Sequence, residues 1–213
     1  SLVVSLPAGI TFSHGITKRM ENEDLSIFDY VFCWLGNTNL ILSIIKLIED
    51  KMNLEHDIHE AGVQMILLVE DSIRFYSSIL PNLYNFILEQ SKNFSKEALN
   101  RHAATMRMRG RPKVVLARTY EEALKLYQKY SDNTLGVISD ARFPLKNAAK
   151  AFGNEVDVDA KPKYRTDTFG REKDPEAGLK LFRYIRQNDP FVPLILESSE
   201  SENRAKAEAE GFR

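Results

Sequence analysis

The stretch Val63-Gln64-Met65-Ile66-Leu67-Leu68-Val69-Glu70-Asp71 decides how this chain is read. A strand with one wet face alternates apolar and polar residues. A nearly uninterrupted apolar run of strand length therefore predicts a strand buried on both faces of a parallel sheet. The run stops on two acids, and Asp71-Ser72 then offers an N-cap to a helix carrying Phe75, Leu80, Leu83, Phe86 and Ile87. Pro81 is expected to bend this helix locally. Its pattern extends through Glu97-Ala98-Leu99 towards Met108, longer than an ordinary crossover, which predicts an insertion near 91–110. Further along come a strand over 113–117 and a helix over 120–130, with Glu121 and Glu122 at its positive end. A buried strand over 135–139 ends on Asp140. A helix over 176–187, a strand over 192–197 and a polar helix over 200–210 complete the series. Strands alternating with helices predict right-handed crossovers and a parallel sheet covered on both sides. In such sheets function gathers at the carboxyl ends of the strands. Glu70, Asp71 and Asp140 fall there, as do the hydroxyls of Ser198 and Ser199.

Before residue 63 the order is strand (2–6), surface helix (16–22), aromatic strand (28–34) and a helix carrying Leu40, Ile41, Ile44, Ile45, Leu47 and Ile48 to about Met52. Residues 53–62, rich in acids and histidines and ending in Gly62, read as a linker. Residues 142–174 mix Gly, Pro and charges with little periodicity and read as a long surface insertion. The expected organisation is a unit over 1–52, a linker over 53–62 and a domain over 63–213.

Composition narrows the classes. The 213 residues, 43% of them hydrophobic, can fill one large core or two small ones. With 29 Lys and Arg against 30 Asp and Glu the net charge is -1, so no global charge draws the chain to nucleic acid. Charges interrupt every apolar stretch well short of a membrane span. A single cysteine, Cys33, excludes an internal disulfide framework and a multi-cysteine zinc site. With no basic leader in view, the expected location is the cytoplasm. The start at Ser1 and the abrupt end at Phe212-Arg213 predict a piece of something longer.

Three carboxylates converging on one sheet edge repel one another, and a hard divalent cation such as Mg²⁺ resolves the conflict with oxygen ligands. An aspartate beside that cation can attack a phosphoryl group and form an acyl phosphate. Other features read more simply. His56-x-x-His59 is predicted to be a solvated surface, since no further ligand lies nearby. Arg109-Gly110-Arg111-Pro112-Lys113 has the look of a minor-groove hook, but Gly and Pro are ordinary punctuation between a helix and a strand. Cys33 is expected in a core, and Phe75, Tyr76, Tyr84 and Phe86 in core and interface packing.

These pieces together resemble the receiver domain of bacterial response regulators. The matching residues are Ile66-Leu67-Leu68-Val69-Glu70-Asp71, Gly136-Val137-Ile138-Ser139-Asp140-Ala141-Arg142-Phe143-Pro144, Gly178 to Arg186, and Pro193-Leu194-Ile195-Leu196-Glu197-Ser198-Ser199. The resemblance implies a flavodoxin-like, three-layer α/β/α fold with a parallel sheet. It implies Asp140 as phosphoacceptor from a histidine kinase or other phosphodonor. Mg²⁺ would be held by Asp71, Asp140 and the backbone carbonyl of Arg142, with Glu70 assisting through water, and Ser198 would contact the phosphoryl group. The receiver's fifth strand, with its lysine, would be missing. Residues 1–52 would be the C-terminal part of a degenerate second receiver, with Cys33 where that lysine stands. The tandem pattern is also similar to the N-terminal region of Bacteroidetes proteins resembling phosphoenolpyruvate synthase or pyruvate phosphate dikinase. The expected role is a phosphorelay module, not itself an enzyme, with no nucleic-acid or membrane partner. The alternative is a non-phosphorylated pseudo-receiver for docking or dimerisation. An aspartyl phosphatase is disfavoured because Arg142 stands where a second acid is needed. The strand over 27–34 is expected to fill the missing edge beside the strand over 192–197, in cis or in a homodimer.

Overall fold

The computed structural model describes residues 3–7, 28–146, 167, 171–198 and 201–210. The chain is a mixed α/β structure whose centre is a four-stranded parallel sheet flanked by helices. Its strands are β3 (Met65–Val69), β4 (Lys113–Ala117), β5 (Thr134–Asp140) and β8 (Leu194–Glu197), in the spatial order β4-β3-β5-β8. Before them come β1 (Val3–Pro7), β2 (Tyr30–Trp34) and α1 (Asn39–Ala61). The crossovers are α2 (Ile73–Lys96) with α3 (Arg101–Arg109), α4 (Tyr120–Tyr130), and α5 (Ala177–Asn188), and α6 (Ser201–Ala209) follows β8. A short antiparallel pair, β6 (Phe143–Pro144) with β7 (Lys173–Asp174), branches off after β5.

The apolar run that opened the reading works as expected, because successive side chains of β3 enter opposite cores. Met65, Leu67 and Val69 pack with Ala123 and Tyr127 of α4 and Leu181, Phe182 and Ile185 of α5. Leu68 packs on the other face with Tyr76, Leu80 and Tyr84 of α2. Helix α2 runs unbroken through Pro81. The expected long helix ends at Lys96 and restarts at Asn100, whose side chain accepts a hydrogen bond from the Ala103 N–H at 2.8 Å.

Three expectations change. Residues 53–61 are the second half of a 23-residue helix, not a linker. Leu47, Leu54 and Ile58 continue the inward face, and Gly62, at φ 60°, closes the helix in the left-handed conformation that glycine tolerates. The polar residues there line the exposed side. Second, the strand over 27–34 does not lie beside β8. Strand β2 pairs in parallel with β1 and rests on α2. Ser77 Oγ accepts from the Cys33 N–H at 2.9 Å, and the Tyr76 hydroxyl donates to the Val31 carbonyl, so helix side chains satisfy this strand's backbone. Among the described residues, β8 has β5 as its one strand neighbour. Third, the ends of the 142–174 insertion are packed rather than superficial, since Phe143 is fully buried and Arg171 nearly so.

Tyr30 to Cys33, Leu40 and Leu47 share one core with Leu68, Tyr76 and Val114. A continuous helix therefore crosses the boundary expected between 52 and 63, and covers the outer edge of β4. The surface helix expected over 16–22 and most of the insertion lie outside the described residues. No helix among the described residues is long and apolar enough to cross a membrane.

Candidate metal centre

Strand β3 ends at Val69, and Glu70 still donates its N–H to the Ala117 carbonyl at 3.0 Å. The sheet ladder thus carries Glu70 to its carboxyl edge, and Asp71 follows just before α2 begins. Strand β5 ends on Asp140, beside β3 in the register Val69 to Ser139. Parallel pairing therefore delivers three acids to one point. One carboxylate oxygen from each of Glu70, Asp71 and Asp140 lies within 4.8 Å of the others, the one such group among the described residues.

The site is largely dry. Asp71 is fully buried and Glu70 is 3% exposed. Burial comes first in pushing Glu70 up to about 9, and the Asp140 and Asp71 charges add to it. Asp71 is pushed up to about 6, again chiefly by burial, with Lys173 opposing. Asp140 is also raised, by burial, against Lys173 and the N–H groups of Ala141 and Arg142 that donate to its carboxylate. The Ala141 N–H lies 2.7 Å from Asp140 Oδ1. Glu70 Oε1 accepts from the Ser72 N–H at 2.9 Å. Asp71 Oδ1 has no hydrogen-bond partner although it is shut away from solvent. A buried carboxylate oxygen without a donor is costly. Three carboxylates within reach of one ion, one of them with a buried oxygen that lacks a donor, suit a hard divalent cation such as Mg²⁺, which prefers oxygen ligands.

Comparison of the chain with protein-family models, with curated proteins and with solved structures finds no match. The functional reading rests on the site itself.

Of the residues expected here, Glu70, Asp71 and Asp140 converge. Arg142 is half-buried, and its N–H faces the Asp140 carboxylate. Ser198 stands one residue past Glu197, which is in register with Asp140, so it occupies the neighbouring strand end. It is exposed, and its Oγ accepts from Asn203 Nδ2 at 3.3 Å. It adjoins the acids without joining their group.

Two residues complete the site that sequence reasoning did not assign to it. Lys173 on β7 places its Nζ 2.6 Å from Asp71 Oδ2. Gly178, in the first turn of α5, backs directly onto Asp140. A Cβ there would lie 2.4 Å from the Asp140 carbonyl oxygen and 2.8 Å from Leu196 Cδ1. The glycine lets the helix close on the strand end, and its N–H donates to the Ala141 carbonyl at 3.1 Å. Gly178 was visible at the helix start, whereas Lys173 lay in a segment without periodicity.

The simpler readings hold for the other motifs. Arg111 and Lys113 are buried in ion pairs with Asp50 and Asp57, so neither is free to enter a groove. His56 and His59 are exposed on α1, with His56 beside Asp57, and Cys33 is buried. Tyr76 and Tyr84 are core residues, but Phe75 and Phe86 are exposed on α2.

Proposed function

We propose that this chain is a receiver-like regulatory module in a flavodoxin-like α/β/α arrangement, in which Asp140 accepts a phosphoryl group with the help of Mg²⁺. The observation that carries the reading is the convergence of Glu70, Asp71 and Asp140, with a buried Asp71 oxygen lacking a hydrogen-bond donor. Mg²⁺ would be held by Asp71, Asp140 and the Arg142 carbonyl, with Glu70 acting through water. When bound, it supplies positive charge against the phosphoryl oxygens and keeps the carboxylates ionised.

The protein's own residues do the rest. An Asp140 carboxylate oxygen attacks the phosphorus of a phosphohistidine or acetyl phosphate. The new O–P bond forms as the P–N or P–O bond to the donor breaks, and the leaving imidazole or acetate takes the electron pair. The Ala141 and Arg142 N–H groups hold the Asp140 carboxylate in place, and Ser198 on the adjacent strand end contacts the phosphoryl group. The donor would be a histidine kinase or another phosphodonor, and the output a changed surface for a partner.

The test is incubation of the full chain with Mg²⁺ and acetyl phosphate or beryllofluoride. The expected result is the mass gain of one phosphoryl group, or a Mg²⁺-dependent fluorescence change, lost in Asp140→Asn. No response by the wild-type chain overturns the reading. The Lys173 ammonium already on Asp71 favours a second reading, a cation-free docking module beside a phosphoenolpyruvate synthase-like enzyme. That reading expects no Mg²⁺ binding at all.

A further inference from the structure

Lys173 reaches the acidic site from an unusual direction. It lies on β7, whose partner β6 follows Asp140 almost immediately in the chain. Phe143 of β6 is fully buried and anchors that strand. On the β7 side Arg171 and Asp174 are already matched locally. Arg171 forms a paired contact with Asp167, through Nε at 2.6 Å and its own N–H at 2.7 Å. Asp174 accepts from Lys180 Nζ at 2.6 Å and from the Glu176 N–H at 2.8 Å. Lys173 is the side chain of this limb directed into the acids, with its side chain 16% exposed and its Nζ 2.6 Å from a fully buried carboxylate. The ammonium makes an ion pair with Oδ2 of Asp71, while the buried Oδ1 has no hydrogen-bond donor. The three clustered carboxylates are thus met by an ammonium that leaves the most buried of them incompletely satisfied.

We propose that Lys173 is a tethered counter-ion of this site: it holds Asp71 while no divalent cation is bound, competes with that cation for Asp71, and is displaced from it when the cation arrives. The inference rests on the cation-binding part of the function proposed above. An ammonium and a divalent cation on the same small carboxylate repel each other, so the two occupancies exclude one another in part. Because the β6–β7 pairing is two residues long, release of Lys173 loosens the limb that it ends. Cation binding at the sheet edge is thereby read out in the hairpin beside Asp140. Lys173 acts as a positioning residue, setting when Asp71 is available.

The test uses the full chain and Mg²⁺ alone. Calorimetric Mg²⁺ titration is compared for the wild type, Lys173→Gln and Lys173→Arg, with melting curves to confirm folding. Removing the competitor is expected to tighten Mg²⁺ binding on the order of tenfold, the scale of one modest ionic contact. Lys173→Arg is expected to stay near the wild type. In the wild type, Mg²⁺ is expected to accelerate amide hydrogen exchange at Phe143, Lys173 and Asp174. Equal or weaker Mg²⁺ binding in a folded Lys173→Gln overturns the inference, and so does hairpin exchange that Mg²⁺ leaves unchanged. The failures of the two proposals are distinguishable. Asp140-dependent phosphoryl uptake without the affinity change removes only the role of Lys173. The affinity and exchange changes without phosphoryl uptake remove only the phosphoacceptor.

Discussion

The protein buries charge in two places, and it treats them oppositely. At the edge strand β4, Asp50 of α1 is fully enclosed and fully answered. Arg111 donates to both its oxygens, at 2.6 and 3.1 Å. The Tyr84 hydroxyl and the Val114 N–H each donate to Oδ2 at 2.9 Å. Lys113 bridges to Asp57 at 2.6 Å. At the carboxyl ends of β3 and β5, three acids gather around the Lys173 ammonium, and a buried oxygen of Asp71 has no donor. A satisfied network fastens α1 along an otherwise open strand edge. An under-satisfied one carries a desolvation cost that a bound cation would relieve.

The sharpest way to break the comparison is at the satisfied end. Asp50→Ala leaves the buried Arg111 with the Pro112 carbonyl at 3.2 Å and, as its nearest acid, the Glu49 carboxylate at 3.8 Å. It is expected to cost about 3–5 kcal/mol in urea unfolding, because a buried pair loses one partner. A loss below about 1 kcal/mol would mean that the network contributes little beyond packing.

Gly178→Ala comes next. The added methyl collides with the Asp140 carbonyl and Leu196, so a destabilisation of about 1–3 kcal/mol is expected. If Asp140 holds the ion as proposed, Mg²⁺ affinity should fall with it, since the collision is at that residue. Unfolding and calorimetry on one preparation check both.

Asp140→Asn should move in the other direction. Removing one of the mutually repelling charges is expected to stabilise the metal-free chain on the order of 1 kcal/mol at neutral pH. The wild-type pH profile follows from the same repulsion. Glu70 and Asp71 are raised to about 9 and about 6 in the folded chain, from 4.5 and 3.8. The folded state therefore holds more protons than the unfolded chain between pH 4 and 9, and metal-free stability should fall as pH rises through that window. Saturating Mg²⁺ should flatten the fall. A metal-free profile that rises across the window would contradict the electrostatics of the site. The smallest effect belongs to the exposed pair of Glu121 and Lys125, 3.1 Å apart. Glu121→Gln should change stability by no more than about 0.5 kcal/mol.

Much of the sheet was legible because its signals are local. A doubly buried strand needs an apolar run, and the acids at its end fall where parallel strands deliver them. Glu70, Asp71 and Asp140 could therefore be named together before any packing was known. Residues 53–61 were misread because their composition outweighed their spacing. Leu47, Leu54, Ile58 and the terminal Gly62 carried the helix, while the intervening histidines, Glu55 and Glu60 marked its wet side. The basic run at 109–113 was ambiguous for a related reason. Whether Arg111 meets solvent or a carboxylate depends on Asp50, far away in the chain.

The sequence by itself determined the alternation of strands and helices, the order of the parallel sheet's elements and the edge on which the acids gather. Periodicity and chain direction suffice for those. Only the tertiary structure decided that the first strands and α1 share a core with α2 and β4, because that depends on which side chains meet the backbone of β2 and the edge of β4. It alone brought Lys173 to Asp71. A contact between a lysine in an irregular segment and an acid at a strand end leaves no periodic trace, and exists only once the β6–β7 hairpin has turned the chain back on itself.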